Sequence, residues 1–131
     1  RILEYKNLYG NIIVDHTHAF FQRPLKGIDT LYSCRKFWGV SDGAYLSTDT
    51  KLTENNTPDY SEDRMKHILG RYEQDAGTYY KDMLANAAKY EGMELRQMSR
   101  LTQNLLKAVP QIASAMELML RVSAKYLGIL M

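Results

Sequence analysis

The feature that most constrains this chain is a change in apolar spacing at Thr57-Pro58-Asp59. Before that point apolar residues come in short runs. Asn11-Ile12-Ile13-Val14 ends at Asp15, Thr30-Leu31-Tyr32-Ser33 follows a loop with Pro24 and Gly27, and Ala44-Tyr45-Leu46-Ser47-Thr48 follows Gly43. Runs of this length, bounded by turn residues, predict short buried strands. After it, Met65, Ile68, Leu69, Tyr72, Ala76, Tyr79, Tyr80, Met83, Leu84 and Ala87 recur at helical spacing. Thr57 can cap a helix, Pro58 fits its first position, and Asp59 suits the positive end of the dipole. The pattern therefore predicts a helix from Pro58 that runs through Gly70 and Gly77 and ends near Gly92. A second stripe, Leu95, Met98, Leu101, Leu105 and Ala108, stops at Pro110. A third takes in Ile112, Met116, Met119, Leu120 and Leu127, with Glu117, Arg121 and Lys125 on the opposite face. The expected architecture is α/β, with a strand-rich segment over residues 1–57 and a mainly helical region over 58–131.

Composition narrows the function. The 131 residues carry a net charge of +2, and their Lys and Arg form no cluster, which argues against a nucleic-acid partner. The charged face of the last stripe argues against a membrane span. Cys34 is the single cysteine, so no disulfide can form within the chain, and a cytoplasmic setting is expected. In that setting the sequon Asn55-Asn56-Thr57 is read as chance. No apolar run of the signal-peptide type occurs in Arg1 to Gly10.

The residues able to do chemistry lie between Asp15 and Ala44. Asp15 directly follows a strand, and His16 and His18 follow it. Ligands of α/β sheets gather at strand ends, although an Asp in that position also serves as a simple turn former. The second cluster, Tyr32 to Lys36, places a hydroxyl, a thiol and two cations at the end of the next strand, before a glycine-bearing loop. Ser33, Arg35 and backbone N–H groups could hold a phosphate there. Lys36, beside Arg35 and three aromatic rings, could act as a free amine, or lie along the surface on its own alkyl stem.

Taken in order, Asn11-Ile12-Ile13-Val14-Asp15-His16-Thr17-His18-Ala19-Phe20, then Tyr32-Ser33-Cys34-Arg35-Lys36, then Ser41-Asp42-Gly43-Ala44, resemble the DegT-type sugar-nucleotide aminotransferases. These are pyridoxal-phosphate (PLP) enzymes with an aspartate-aminotransferase-like fold. The resemblance covers residues 8–50 and implies part of a PLP-transferase large-domain sheet. It implies that Asp15 pairs with the pyridine nitrogen, Ser33 and Arg35 bind the cofactor phosphate, and Lys36 holds the cofactor covalently and then moves the proton. His18 stands where the family usually has Gln beside the ring. The family commonly places its lysine farther from the serine, whereas Lys36 follows Ser33 by three residues. Alignment back from the glycine turn selects Lys36; alignment forward from Ser33 selects Trp38 and a non-catalytic relative. Members of the family are longer, and their N-terminal half supplies a glycine-rich cofactor segment. Gly70-Arg71-Tyr72-Glu73 and Met98-Ser99-Arg100-Leu101-Thr102 resemble surface-polysaccharide biosynthesis proteins more loosely. The implied activity is amino transfer from an amino-acid donor to a nucleotide-linked keto-sugar in surface polysaccharide synthesis, by a homodimer.

Three other readings stay open at this level. His16 and His18, with Asp15, could bind zinc as in a metal-dependent hydrolase. Cys34 with His16 or His18 could form a nucleophile pair. The chain could instead be a non-catalytic interaction or dimerisation module, using the apolar stretch from Ala108 to Met131.

Overall fold

The structure, a computed structural model, describes residues 1–53 and 56–109, and the backbone of 127–130. Helix α1 (Ile2–Tyr9) precedes strand β1 (Ile13–Asp15), strand β2 (Asp29–Ser33), a 3-10 turn (Cys34–Lys36) and strand β3 (Ala44–Ser47). A second 3-10 turn (Glu62–Arg64) leads to helices α2 (Lys66–Glu73), α3 (Tyr80–Ala88) and α4 (Arg100–Lys107), and strand β4 (Leu127–Leu130) follows. The chain is thus α/β, with the sheet ordered β1-β2-β3-β4.

Strand β1 pairs parallel with β2, and β2–β3 and β3–β4 pair antiparallel. Burial alternates along β2 and β3, because successive side chains point to opposite faces. One face turns Thr30, Tyr32, Tyr45 and Ser47 into the core; the other carries half-buried Leu31, Ser33, Ala44 and Leu46. Strand β1 lies at the sheet edge, so Ile13 is 70% exposed rather than buried as its apolar run suggests.

Residues 16–28 make the crossover that parallel pairing of β1 and β2 requires. Within it, Phe20 is fully buried and packs against Phe21, Tyr32, Phe37, Trp38 and Tyr45, with ring centroids 5.6–6.3 Å away. Met98 and Leu106 complete the same core cluster. The strand-rich and helical stretches therefore share one core.

The long helix expected from Pro58 is not formed as one piece. Pro58 pairs with Gln97 in an isolated parallel bridge, and the Asp59 N–H donates to the Gln97 carbonyl. The Asp59 carboxylate is used by Arg64 in a buried ion pair, so it does not serve a helix end. Farther on, Gly70 lets the Tyr79 ring lie against α2; a Cβ at Gly70 would stand 2.3 Å from that ring. Asp75 accepts hydrogen bonds from the Thr78 N–H and hydroxyl, closing the turn that separates α2 from α3. Helix α4 forms where the second stripe predicts a helix, but Leu95 and Met98 precede it and its buried residues are Thr102 and Leu106 while Leu105 is exposed; Ser99 is its N-cap, accepting from the Thr102 N–H. Of the third stripe, residues 112–120 lie outside the described residues, and Leu127 runs in β4 rather than in a helix.

Candidate functional site

Asp15 and Ser33 close neighbouring parallel strands. The register sets Asp15 opposite Leu31, and Ser33 lies two positions on, so all three share the half-open sheet face. Asp15 is exposed. Hydrogen bonds from the Thr17 side chain and N–H hold its carboxyl below the usual carboxylate range, and His18 and His16 add to this. The Thr17 N–H bond measures 2.7 Å. Asp15 is therefore a fixed anion that combines a turn role with an open edge. Ser33 is half-buried, and its hydroxyl has no partner among the described residues.

Lys36 ends the 3-10 turn that follows Ser33. That turn is anchored at Cys34, whose N–H donates to the Gly43 carbonyl at 3.0 Å and whose carbonyl accepts from Phe37 and Trp38. The side chain of Lys36 is exposed, and its amine makes no ion pair or hydrogen bond among the described residues. Arg35 turns its guanidinium over the Tyr90 ring, 5.0 Å from the centroid, and Arg64 lies 5.1 Å from the same ring. Burial pushes the Tyr90 phenol up to about 12, so it stays neutral and donates to the Ser41 carbonyl at 2.9 Å.

The glycine turn is held from the other side. Buried Asp42 accepts from the Ser99 N–H at 2.7 Å, from the Ser99 hydroxyl at 2.9 Å and from the Thr102 hydroxyl. Gly43 has a φ of 104°, and a Cβ there would stand 3.0 Å from Met98 and Thr102. Ser41-Asp42-Gly43 thus fastens the strand-bearing segment to α4.

Between the Lys36 turn and α2 lies a cleft of about 490 Å³, lined in part by Arg35, Lys36, Trp38, His67, Arg71 and Tyr72. Asp15, His18 and Ser33 are not among its lining residues. The structure therefore brings Asp15 and Ser33 to the same end of two neighbouring strands, and Arg35 and Lys36 to one cleft, with the Ser33–Lys36 backbone joining the two. Burial, followed by the charges of Arg71 and Arg35, holds the His67 imidazole below its ordinary range. Sequence reading misses Arg71 as a site residue; the signal for it is its spacing from His67, one helical turn apart on α2.

The other chemistries fare less well. His16 packs edge-on against Tyr32 at 5.2 Å, while His18 is exposed, and no group of three metal-ligating residues occurs among the described residues. Cys34 is fully buried, and its thiol is pushed up to about 12 by burial and by Asp42, so it carries no reactive thiolate. No helix among the described residues is long and apolar enough to cross a membrane. Comparison with protein-family models, with curated proteins and with solved structures finds no match to this chain.

Proposed function

We propose that this chain carries the cofactor-binding edge of a PLP-dependent aminotransferase that acts on a nucleotide-linked keto-sugar in surface polysaccharide synthesis. One observation supports the reading above others: Asp15 and Ser33 end adjacent parallel strands on one face, and Lys36 follows in an anchored turn. Strand ends of this kind are where α/β sheets hold ligands.

The residues present suit the group by their chemistry. Asp15 is held anionic, as a partner for a protonated pyridine nitrogen must be. Ser33 offers an unused hydroxyl for a phosphate, and His18, three residues beyond Asp15, would flank the ring. Lys36 offers an amine with no carboxylate to neutralise it among the described residues. We give the phosphate to Ser33 and leave Arg35 to Tyr90 and the cleft. PLP, when bound, supplies an electron-withdrawing ring. Asp15 keeps the proton on the ring nitrogen, and the Lys36 Nζ, when free, accepts the proton leaving the amino donor's α-carbon. The working assembly in this reading is a homodimer.

The test is addition of PLP, borohydride reduction and peptide mapping. Modification concentrated at Lys36, and lowered by Asp15→Asn, supports the assignment. Modification spread over exposed lysines, or none, refutes it. A second reading, a non-catalytic interaction or dimerisation module, is favoured by α1, which has no buried residue and exposes Leu3, Leu8 and Tyr9. Gel filtration with and without PLP separates the two: a dimer that forms regardless of PLP and takes no label belongs to the module.

A further inference from the structure

The cleft between the Lys36 turn and α2 has an unusual charge balance. Arg35, Lys36 and Arg71 line it together with His67, and among the described residues none that lines it is Asp or Glu. Neither arginine has a carboxylate partner among the described residues. A nearby acid, Asp82, is tied to Lys66 at 2.9 Å and lies outside the lining. The contrast with the adjoining cavity is informative. That smaller space, about 140 Å³ on the other side of His67, is lined by Asp63, Asp82, Lys66 and Lys89, which neutralise one another in pairs. Among the described residues, the larger cleft keeps its positive charges unopposed. Like charges gathered in a concave space repel, and an anion relieves that repulsion.

The geometry points to a phosphate-ester site in this cleft, with the phosphoryl group between Arg35 and Arg71 and the uncharged part against Trp38 and Tyr72. Guanidinium groups suit a phosphoryl group because their planar forks donate two parallel hydrogen bonds. Arg35 is already held in place by the Tyr90 ring, so less side-chain freedom is lost when it engages an anion. His67 is buried at the cleft wall, where its N–H is already given to the Arg64 backbone, so the anion is left to the two arginines. Trp38 and Tyr72 both line the cleft and offer aromatic rings to the uncharged part. Asp15, His18 and Ser33 do not line this cleft, and Lys36 is the residue it shares with the proposed PLP site, so the phosphoryl group is assigned to Arg35 and Arg71 and does not require Lys36.

Trp38 is the only tryptophan in the chain, so its emission reports on the cleft. The test is titration of the whole chain with inorganic phosphate, phenyl phosphate and phenol. We expect a saturable change with both phosphates, tighter for phenyl phosphate, much weaker with phenol, and weakened by added sodium chloride. Arg71→Gln and Arg71→Glu should each weaken phosphate binding at least about tenfold. Lys107→Glu, on the exposed side of α4, should leave it unchanged. Circular dichroism melting establishes that each variant is folded. A free-anion site would show phosphate and phenyl phosphate binding alike, which refutes the ester assignment. Phenol binding as tightly as phenyl phosphate, or Arg71→Gln and Arg71→Glu both behaving as the native chain, refutes the site. Failure of borohydride labelling at Lys36 with phosphate binding intact would remove the aminotransferase reading and leave this one standing.

Discussion

Replacing Asp42 by Ala removes the acceptor that joins the glycine turn to α4. Three donors lose their partner: the Ser99 N–H, the Ser99 hydroxyl and the Thr102 hydroxyl. Ser99 and Thr102 are 1% and 0% exposed, so water does not reach them. A buried donor left unpaired costs about 1–3 kcal/mol. The Ser99 hydroxyl has a second contact, the Ser61 hydroxyl at 2.6 Å, and can turn to it. Two donors then remain orphaned, and the expected loss is roughly 2–6 kcal/mol. Urea denaturation reads this directly. With a slope of about 2 kcal/mol per molar, the midpoint should fall by roughly 1–3 M with the slope unchanged. Asp75→Ala is the control, because Asp75 serves Thr78 in an exposed turn. A midpoint for Asp42→Ala no lower than that of Asp75→Ala would refute the anchoring role of Asp42.

Three further outcomes follow from the same packing. Gly70→Ala should lower the thermal midpoint by a few degrees, since its Cβ meets the Tyr79 ring at 2.3 Å; the double change with Tyr79→Ala should recover most of the loss, and failure to recover it would show that the ring is not the obstacle. Cys34 should resist alkylation in the folded chain at neutral pH and react on unfolding, because burial and Asp42 push its thiol up to about 12; labelling at the rate of a free thiol would contradict its placement. His67 has its folded pKa lowered by burial, Arg71 and Arg35, against opposing contributions from the Arg64 backbone and Asp82. Its linkage is thus fully favourable above about 6.5, and stability falls as pH drops from there through the folded pKa. His67→Gln should flatten that part of the pH–stability curve, and an unchanged slope would assign it to another group.

Much of this arrangement is legible in the sequence, for physical reasons that differ by element. Strands β2 and β3 show themselves because Tyr32 and Tyr45 alternate with half-buried neighbours on a sheet with one closed face. Strand β1 is found, but its burial is misread: Ile12-Ile13-Val14 is as apolar as a central strand, and only the sheet order makes it an edge. Helix α4 is legible as a helix from its spacing, but its inward face is one residue off the apolar stripe, because Thr102 and Leu106 pack inward where the stripe has Leu101 and Leu105. The single helix from Pro58 is not, because the apolar period continues across a break made by local hydrogen bonds. Asp59 goes to Arg64, and Asp75 to Thr78, and neither preference appears in a periodicity. At the site, Asp15, Ser33 and Lys36 can be picked out because each lies at or just past a strand end. Tyr90 cannot, and Arg71 shows only its spacing from His67, since what brings them to Arg35 is tertiary packing of α2 and of the segment after α3.

The central proposal is that Asp15, at the end of β1, and Lys36, in the turn after β2, serve one cofactor. The most direct measurement is the visible absorption of the chain titrated with PLP. The account predicts a saturable, protein-dependent band that Lys36→Ala abolishes, Asp15→Asn shifts or weakens, and Lys26→Ala leaves intact. A band of equal strength in Lys36→Ala, or no band in the native chain, would contradict it.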